Sequence, residues 1–287
     1  MSAVARRLAE LFERSPFWRE RWRAAGYVRA PETLDGLAPL RIEELAADEQ
    51  AHPPYGTWRA ASEFVRVGVP VRTSPLEMVV FTAADLELES RVGALALSSV
   101  GLAPGGRETN TLPGGLATPG ALVVGDAAQA LGALDMPVGP IGGGPPRDAA
   151  FDFWQRVKPD FVVLDAAGAA DLARLLDERG TTASGIGLRG AVVVSDLRDP
   201  LPEVPELGVP VARIVGLAEA FSLLAPCDAD GVFVVPRGEV IVEVLDGELV
   251  VTTLRHSAAL VRHATGVRAR LVPPPVGRSE DLAFVLV

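Results

Sequence analysis

Apolar residues recur on two periods along this chain. Over residues 1–30 the period is helical: Leu8, Leu11 and Phe12 share one face, and Ser15-Pro16 starts a second helix with proline in its first turn. A loop from Leu34 runs through Pro39-Leu40-Arg41 into a short acidic helix that ends near Glu49. Phe64–Val67 predicts a strand. Thr82 suits the N-cap of a helix to about Gly101, with Asp85 in its first turn and Leu86, Val92, Leu95 and Leu97 as its buried face. Gly120–Gly132 reads as a helix or strand–helix unit, Pro137–Ile141 as a short strand and Ala149–Val157 as a helix. Phe161–Leu164 is a buried strand, Ala169–Glu178 a helix closed by Gly180, and Leu188–Val194 a further strand.

The last third changes character. Val211–Val215 predicts a strand ending in a turn at Gly216. Val232–Val235, Val240–Leu245 and Glu248–Leu254 follow as strands, the last two joined by Asp246-Gly247, a tight hairpin signal. Leu282–Val287 reads as one apolar strand. Alternating strands and helices followed by hairpins imply an α/β region with largely parallel sheets and a small β-rich lobe.

The 287 residues exceed the usual size of one domain, and a 48% hydrophobic composition with 29 glycines and 24 prolines supports a large core with many turns. A net charge of -10 argues against nucleic-acid binding, which needs clustered cations. One lysine, Lys158, leaves little room for lysine-based catalysis. One cysteine, Cys227, excludes an internal disulfide and fits a cytoplasmic protein. No apolar run is long enough to predict a membrane span, and no secretory leader is evident. His52, His256 and His263 have neither the spacing nor the acidic neighbours of a metal site, and no G-x-S-x-G elbow is present. Gly142-Gly143-Gly144 before Pro145-Pro146 reads first as a strand-to-helix turn, with anion binding at a helix N-terminus as the alternative.

Several segments, taken in order, carry a resemblance. They are Ser15-Pro16-Phe17-Trp18-Arg19-Glu20-Arg21, Pro53-Pro54-Tyr55-Gly56, Val215-Gly216-Leu217-Ala218-Glu219, the hairpin Gly247–Leu254, Arg262-His263-Ala264-Thr265-Gly266-Val267 and Gly277-Arg278-Ser279-Glu280-Asp281. Together they resemble the adenylate-forming enzymes, in particular the phenylacetate–CoA ligase branch. The resemblance runs from Ser15 to Asp281. It implies the N-terminal domain of that fold, with residues 1–205 as its α/β region and 206–287 as its end, with the β-rich lobe and a truncated hinge. The C-terminal lid domain that relatives carry is not expected here.

The resemblance also implies a site. Glu219 matches the family's magnesium ligand, and Arg262, Thr265 and Gly266 match its R-Y-x-T-G-D segment. Val215 and Gly216 stand where an aromatic residue and glycine meet adenine. Asn110, Gly114 and Gly115 lie in the loop that lines the acyl pocket in relatives. Three departures weaken this chemistry. Val215 cannot stack on adenine, and Val267 replaces the aspartate that grips both ribose hydroxyls. The loop Gly68–Glu77 has lost the lysine and most glycines of the phosphate-binding segment, leaving Arg72, Thr73 and Ser74 as anion contacts.

Two functions follow as expectations. The first is a phenylacetate–CoA ligase-like protein that is not catalytic and binds a small acyl or nucleotide ligand or a protein partner. The alternative is an active acyl-adenylating or CoA-ligase enzyme using ATP, AMP and magnesium, with substituted contacts or a lid from a separate subunit. The apolar tail at Ala283–Val287 also makes a homodimer through a sheet edge an expectation.

Overall fold

The structure, a computed structural model, describes residues 2–61, 63–71, 75–76, 78–115, 117–142, 145–200, 203–227, 231–235, 240–255, 260–274 and 282–287. In chain order its first elements are α1 (Ala3–Arg14), α2 (Pro16–Ala24), α3 (Ile42–Ala51), β1 (Arg66–Pro70), β2 (Val79–Phe81), α4 (Ala83–Ser99), β3 (Arg107–Asn110), β4 (Ala117–Thr118), α5 (Ala121–Leu131) and β5 (Leu134–Pro137). There follow α6 (Pro145–Val157), β6 (Phe161–Leu164), α7 (Ala166–Glu178), β7 (Gly190–Asp196), β8 (Val211–Leu217) and β9 (Phe221–Cys227). The last are β10 (Val232–Val235), β11 (Val240–Leu245), β12 (Glu248–Thr253), β13 (His263–Val272) and β14 (Leu282–Leu286). They form two compact units, one of Met1–Glu87 with Val235–Val287 and one of Leu88–Val234. The boundary read from the sequence, between 205 and 206, falls within the second unit.

In the first unit, Ser15 both ends α1 and starts α2. Its N–H donates to Leu11 O at 2.9 Å, and its hydroxyl accepts from the Trp18 N–H at 3.3 Å and donates to Thr57 O at 2.7 Å. Leu8, Leu11, Trp18 and Trp22 are buried, with the two indoles 5.3 Å apart and Phe12 stacked on Trp22 at 6.4 Å. The Pro53–Gly56 segment turns around one carboxylate. Asp48 of α3 accepts from the Thr57 N–H, the Thr57 hydroxyl at 2.8 Å and the Trp58 N–H at 3.2 Å. Gly56 sits there at φ 69°, where a Cβ would lie 2.6 Å from Asp48 Oδ2 and 2.9 Å from Trp58 Cδ1.

β1 and β2 pair antiparallel with Val67 opposite Val80, so the strand read at Phe64–Val67 instead starts at Arg66 and ends at Pro70. β11, β12, β13 and β14 make an antiparallel run in that order. The hairpin between β11 and β12 has positive φ at both Asp246 and Gly247, as its sequence predicts. In β14, paired along β13, Ala283 and Phe284 are buried.

In the second unit, β5, β3, β6, β7 and β8 lie parallel in that spatial order, and β9 then β10 continue the sheet antiparallel. Both faces are covered. Val162, Leu164, Ala191 and Val193 pack with Phe151 and Trp154 of α6 and with Leu172 and Leu175 of α7. The alternate residues Val163, Val192, Val194 and Ile214 pack with Leu97 of α4 and with Val124 and Ala127 of α5. Burial on both sides explains why β6 and β7 read as continuous apolar runs. Each fully buried side chain of this size contributes about 1.5–3 kcal/mol.

The structure corrects three local readings. Leu95 is 47% exposed, not part of the buried face of α4. At Gly93 the helix comes so close to α5 that a Cβ would stand 2.7 Å from that of Ala127, so Ala96 takes the inward place beside Leu97, which is buried as expected. The strand expected at Pro137–Ile141 is β5, ending at Pro137, because the Val138 and Gly139 N–H groups turn back to Asn110 O. The turn expected at Gly216 comes later: Gly216 pairs with Asp196 inside β8, and the turn is Ala218–Ala220. β9 and β13 were not foreseen.

Replacing Gly56 with alanine should destabilise the protein by about 2 kcal/mol or more, since the position combines positive φ with a steric clash. Urea denaturation of the variant checks this, and unchanged stability would mean the turn is not built around Asp48.

Candidate functional site

Parallel α/β sheets bind ligands beyond the carboxyl ends of their strands, at the point where the strand order reverses. In the second unit the chain leaves β3 toward β5 on one side and returns to β6 on the other. That rule places a candidate ligand crevice at the ends of β3 and β6. Asn110 and Thr111, both buried, stand at the end of β3. Asp165–Gly168 follows β6, where Asp165 caps α7 by accepting the Gly168 N–H at 2.7 Å. The two strand ends are joined by Thr111, whose N–H and hydroxyl both donate to Val163 O, at 2.9 and 3.0 Å.

The residues assigned to the acyl loop divide in two. Asn110 is fully buried, its amide donating to Ala121 O at 3.0 Å and its Oδ1 accepting the Leu112 N–H at 3.2 Å. Its polar atoms thus shape the loop from within. Gly114 and Gly115 lie at the exposed end of the same loop with open space where a side chain would stand, Gly115 at φ 66°.

Val215, Gly216 and Glu219 come together at the carboxyl end of β8. Val215 is buried and pairs with Ser195 of β7 on one side and Leu224 of β9 on the other. Glu219, only 2% exposed, sits in the turn between β8 and β9. Its Oε1 is in an ion pair with Arg198 Nη2. Arg198 follows β7 directly. Its backbone N–H donates to Asp196 Oδ1 at 2.8 Å, and its Nη1 stands 3.7 Å from Asp196 Oδ2. One guanidinium thus lies between two carboxylates. The sequence reading missed Arg198. The signal was there in Asp196-Leu197-Arg198, a charged pair two residues apart at the end of an apolar strand.

This arrangement does not fit a magnesium ion at Glu219. The carboxylate that would ligate the ion is already neutralised by a fixed cation, and a divalent ion beside a guanidinium in a buried setting is repelled. Among the described residues no group of three or more His, Cys, Asp or Glu side chains could hold a metal ion. No helix among them is long and apolar enough to cross a membrane.

Arg262, Thr265 and Gly266 gather in the first unit as parts of its framework. Arg262 has φ 50° and is largely buried. Its guanidinium donates to both Glu243 oxygens, at 3.2 and 3.3 Å, and to Leu37 O, while its N–H donates to the Thr252 hydroxyl at 2.9 Å. Thr265 donates to Leu249 O at 2.9 Å and accepts the Val267 N–H at 3.1 Å. Gly266, at φ 77°, donates to Glu248 Oε1 at 2.8 Å, at an irregularity where β13 carries more residues than β12. Burial would raise the Glu248 pKa, but hydrogen bonds from Arg41 and Gly266 outweigh it and hold the group below its ordinary value. Val267 is buried and offers no polar group. The remaining assigned positions, Arg72, Thr73 and Ser74 with Glu77, the Gly277–Asp281 segment, His256 and Gly143-Gly144, lie outside the described residues.

Arg262→Ala should cost about 2–4 kcal/mol, because it strands Glu243 and removes a tie to Leu37. Chemical denaturation measures the loss. A change below about 0.5 kcal/mol, the usual range for a surface substitution, would show that the arginine is not structural.

No family model matches the sequence, and no curated protein sequence matches it. Solved structures do. A 2-hydroxyisobutyryl-CoA ligase in an open conformation, in complex with 2-HIB-AMP and CoA, superposes with a TM-score of 0.74 at 20% identity, over 99% of this chain and 66% of that one. The same ligase in its postadenylation state gives a TM-score of 0.75 at 19% identity, over 98% and 64%. An AMP-forming acyl-CoA synthetase/AMP-acid ligase II-like protein from Dyadobacter fermentans gives 0.52 at 16% identity, over 78% and 60%. The chain therefore spans just under two thirds of the length of the hydroxyisobutyryl-CoA ligase structures. Its own α/β architecture, a largely parallel sheet together with a β-rich sheet, is the N-terminal-domain fold of the adenylate-forming CoA ligases.

Proposed function

We propose that this chain is a phenylacetate–CoA ligase-like protein that does not catalyse adenylation, and that keeps the crevice at the carboxyl edge of its sheet for a small acyl or nucleotide ligand or a protein partner. The observation that carries this reading is the Arg198–Glu219 ion pair. Adenylation needs the triphosphate's charge offset by a metal ion, and in this reading a guanidinium has taken over the carboxylate that would hold it. Arginine stays charged at any relevant pH, so the substitution is permanent.

Two further positions support the same reading. Val215 is buried between two strands and presents no ring for adenine. Val267 is buried and cannot accept hydrogen bonds from a ribose. A site shaped to grip those groups would lose much of its selectivity without its polar partners. Gly114 and Gly115, exposed and with open space where a side chain would stand, leave room for a ligand at the end of the loop after β3.

Calorimetric titration with ATP and then AMP, each with and without magnesium, tests the proposal. The expected result is no magnesium-dependent heat with ATP and no carboxylate-dependent pyrophosphate exchange with aryl or alkyl acids. Micromolar MgATP binding together with such exchange would overturn it in favour of an active acyl-adenylating enzyme.

A further inference from the structure

Away from the crevice, β3 and β5 bring two acids together. Glu108 and Asp135 are directly opposite in their parallel register. Residues two apart on a strand share a face, so Asn110 lies on the same side. That side faces α5, where the backbone at Gly125 packs so closely on Asp135 that a Cβ there would collide with Oδ2. Glu108 is 0% exposed, and neither of its carboxylate oxygens accepts a hydrogen bond from an N–H or hydroxyl group. Asp135 Oδ1 is buried in the same condition, although Asp135 as a whole is only half-buried. The other polar groups acting on the pair are the Asn110 amide and the Asp126 carboxylate of α5; Phe161 of β6, opposite Glu108 on its other side, is apolar.

Two carboxylates in contact and out of water cannot both be ionised. One arrangement satisfies both: a proton on one, donated to the other. We propose that Glu108 and Asp135 share one proton, so that a carboxylic acid–carboxylate hydrogen bond fastens the edge strand β5 to β3 and is released as pH rises. On release the proton goes to solvent base, and two negative charges remain facing each other across the strand pair. Asn110 ends β3 and holds the loop that follows it, so the latch stands two residues from that loop and does not depend on what the loop binds.

The electrostatics run the same way. Burial, then the Asp135 charge, raise the Glu108 carboxyl well above its ordinary 4.5. Burial also raises Asp135, opposed by hydrogen bonds from Glu108 and Asn110 and reinforced by the Asp126 charge. A carboxyl whose pKa is higher in the folded than in the unfolded chain contributes stability that is complete below the unfolded value. That contribution is lost as pH rises through the folded value. The protein should therefore weaken on the alkaline side of the ordinary carboxyl range.

The test is urea denaturation of the full chain from about pH 5 to 9, with infrared spectra of the native protein at about pH 6. In the wild type stability should fall with pH, with a linkage of about one proton. Glu108→Gln places a permanent N–H donor against Asp135 and should flatten that slope. Asp135→Asn donates to Glu108 from the other side and should flatten it too, which keeps the test open if one variant fails to fold. The spectrum should show a protonated-carboxyl band at a pH where ordinary carboxyls are ionised, lost in either variant. Absence of the band from the wild type would overturn the proposal. So would its survival in the variants, or pH slopes that run parallel to the wild type.

Discussion

The constraint on which the second unit depends is two-sided burial of its parallel strands. β6 and β7 send Val162, Leu164, Ala191 and Val193 to one helical layer and Val163, Val192 and Val194 to the other. Strands covered on both faces can meet solvent only at their ends. Polar residues that follow them, Asp165 after β6 and Asp196-Leu197-Arg198 at the end of β7, are therefore delivered to one edge. Packing fixes where a ligand crevice would lie before any side chain in it is chosen.

What occupies that edge carries the proposed departure from adenylating chemistry. A carboxylate at the end of β8 is a poorer ligand for a divalent ion once a fixed cation stands beside it, because the two cations repel. Here Glu219 is buried against a guanidinium that Asp196 holds in place. The same shift recurs in the first unit, where Arg262, Thr265 and Gly266 fasten β13 to β12, β11 and Leu37. In both places, residues that the resemblance assigns to a nucleotide make contacts that stabilise the fold.

Much of the fold was legible in the sequence because its signals are local. Ser15-Pro16 marks a helix start, Asp246-Gly247 a hairpin and Phe161–Leu164 a buried strand, and each needs only its neighbours in sequence. The failures lie where tertiary contact decides. Leu95 fits the helical period, but Gly93 sets which face meets α5. β13 alternates, with Val267 and Ala269 buried and Gly266, Arg268 and Arg270 outward, yet matching its residues to a ribose-binding motif assigns them no strand. β9 follows a turn that the sequence reading put too early at Gly216. The residues that the resemblance assigns to a site are legible in the sequence, but the partners they hold in the fold are not. Nothing in Glu219 itself announces an arginine 21 residues earlier as its partner.

A double-mutant cycle on Arg198 and Glu219 tests the central claim most directly. Arg198→Ala removes the cation beside a buried carboxylate, and Glu219→Ala removes one of the two carboxylates beside the guanidinium. If the two charges sustain each other, the double variant should be more stable than the sum of the single losses allows, with a coupling of about 1–3 kcal/mol. Additive losses, together with stabilisation of the unaltered protein by magnesium, would mean that Glu219 is free for a metal ion and that the ion pair does not define the site.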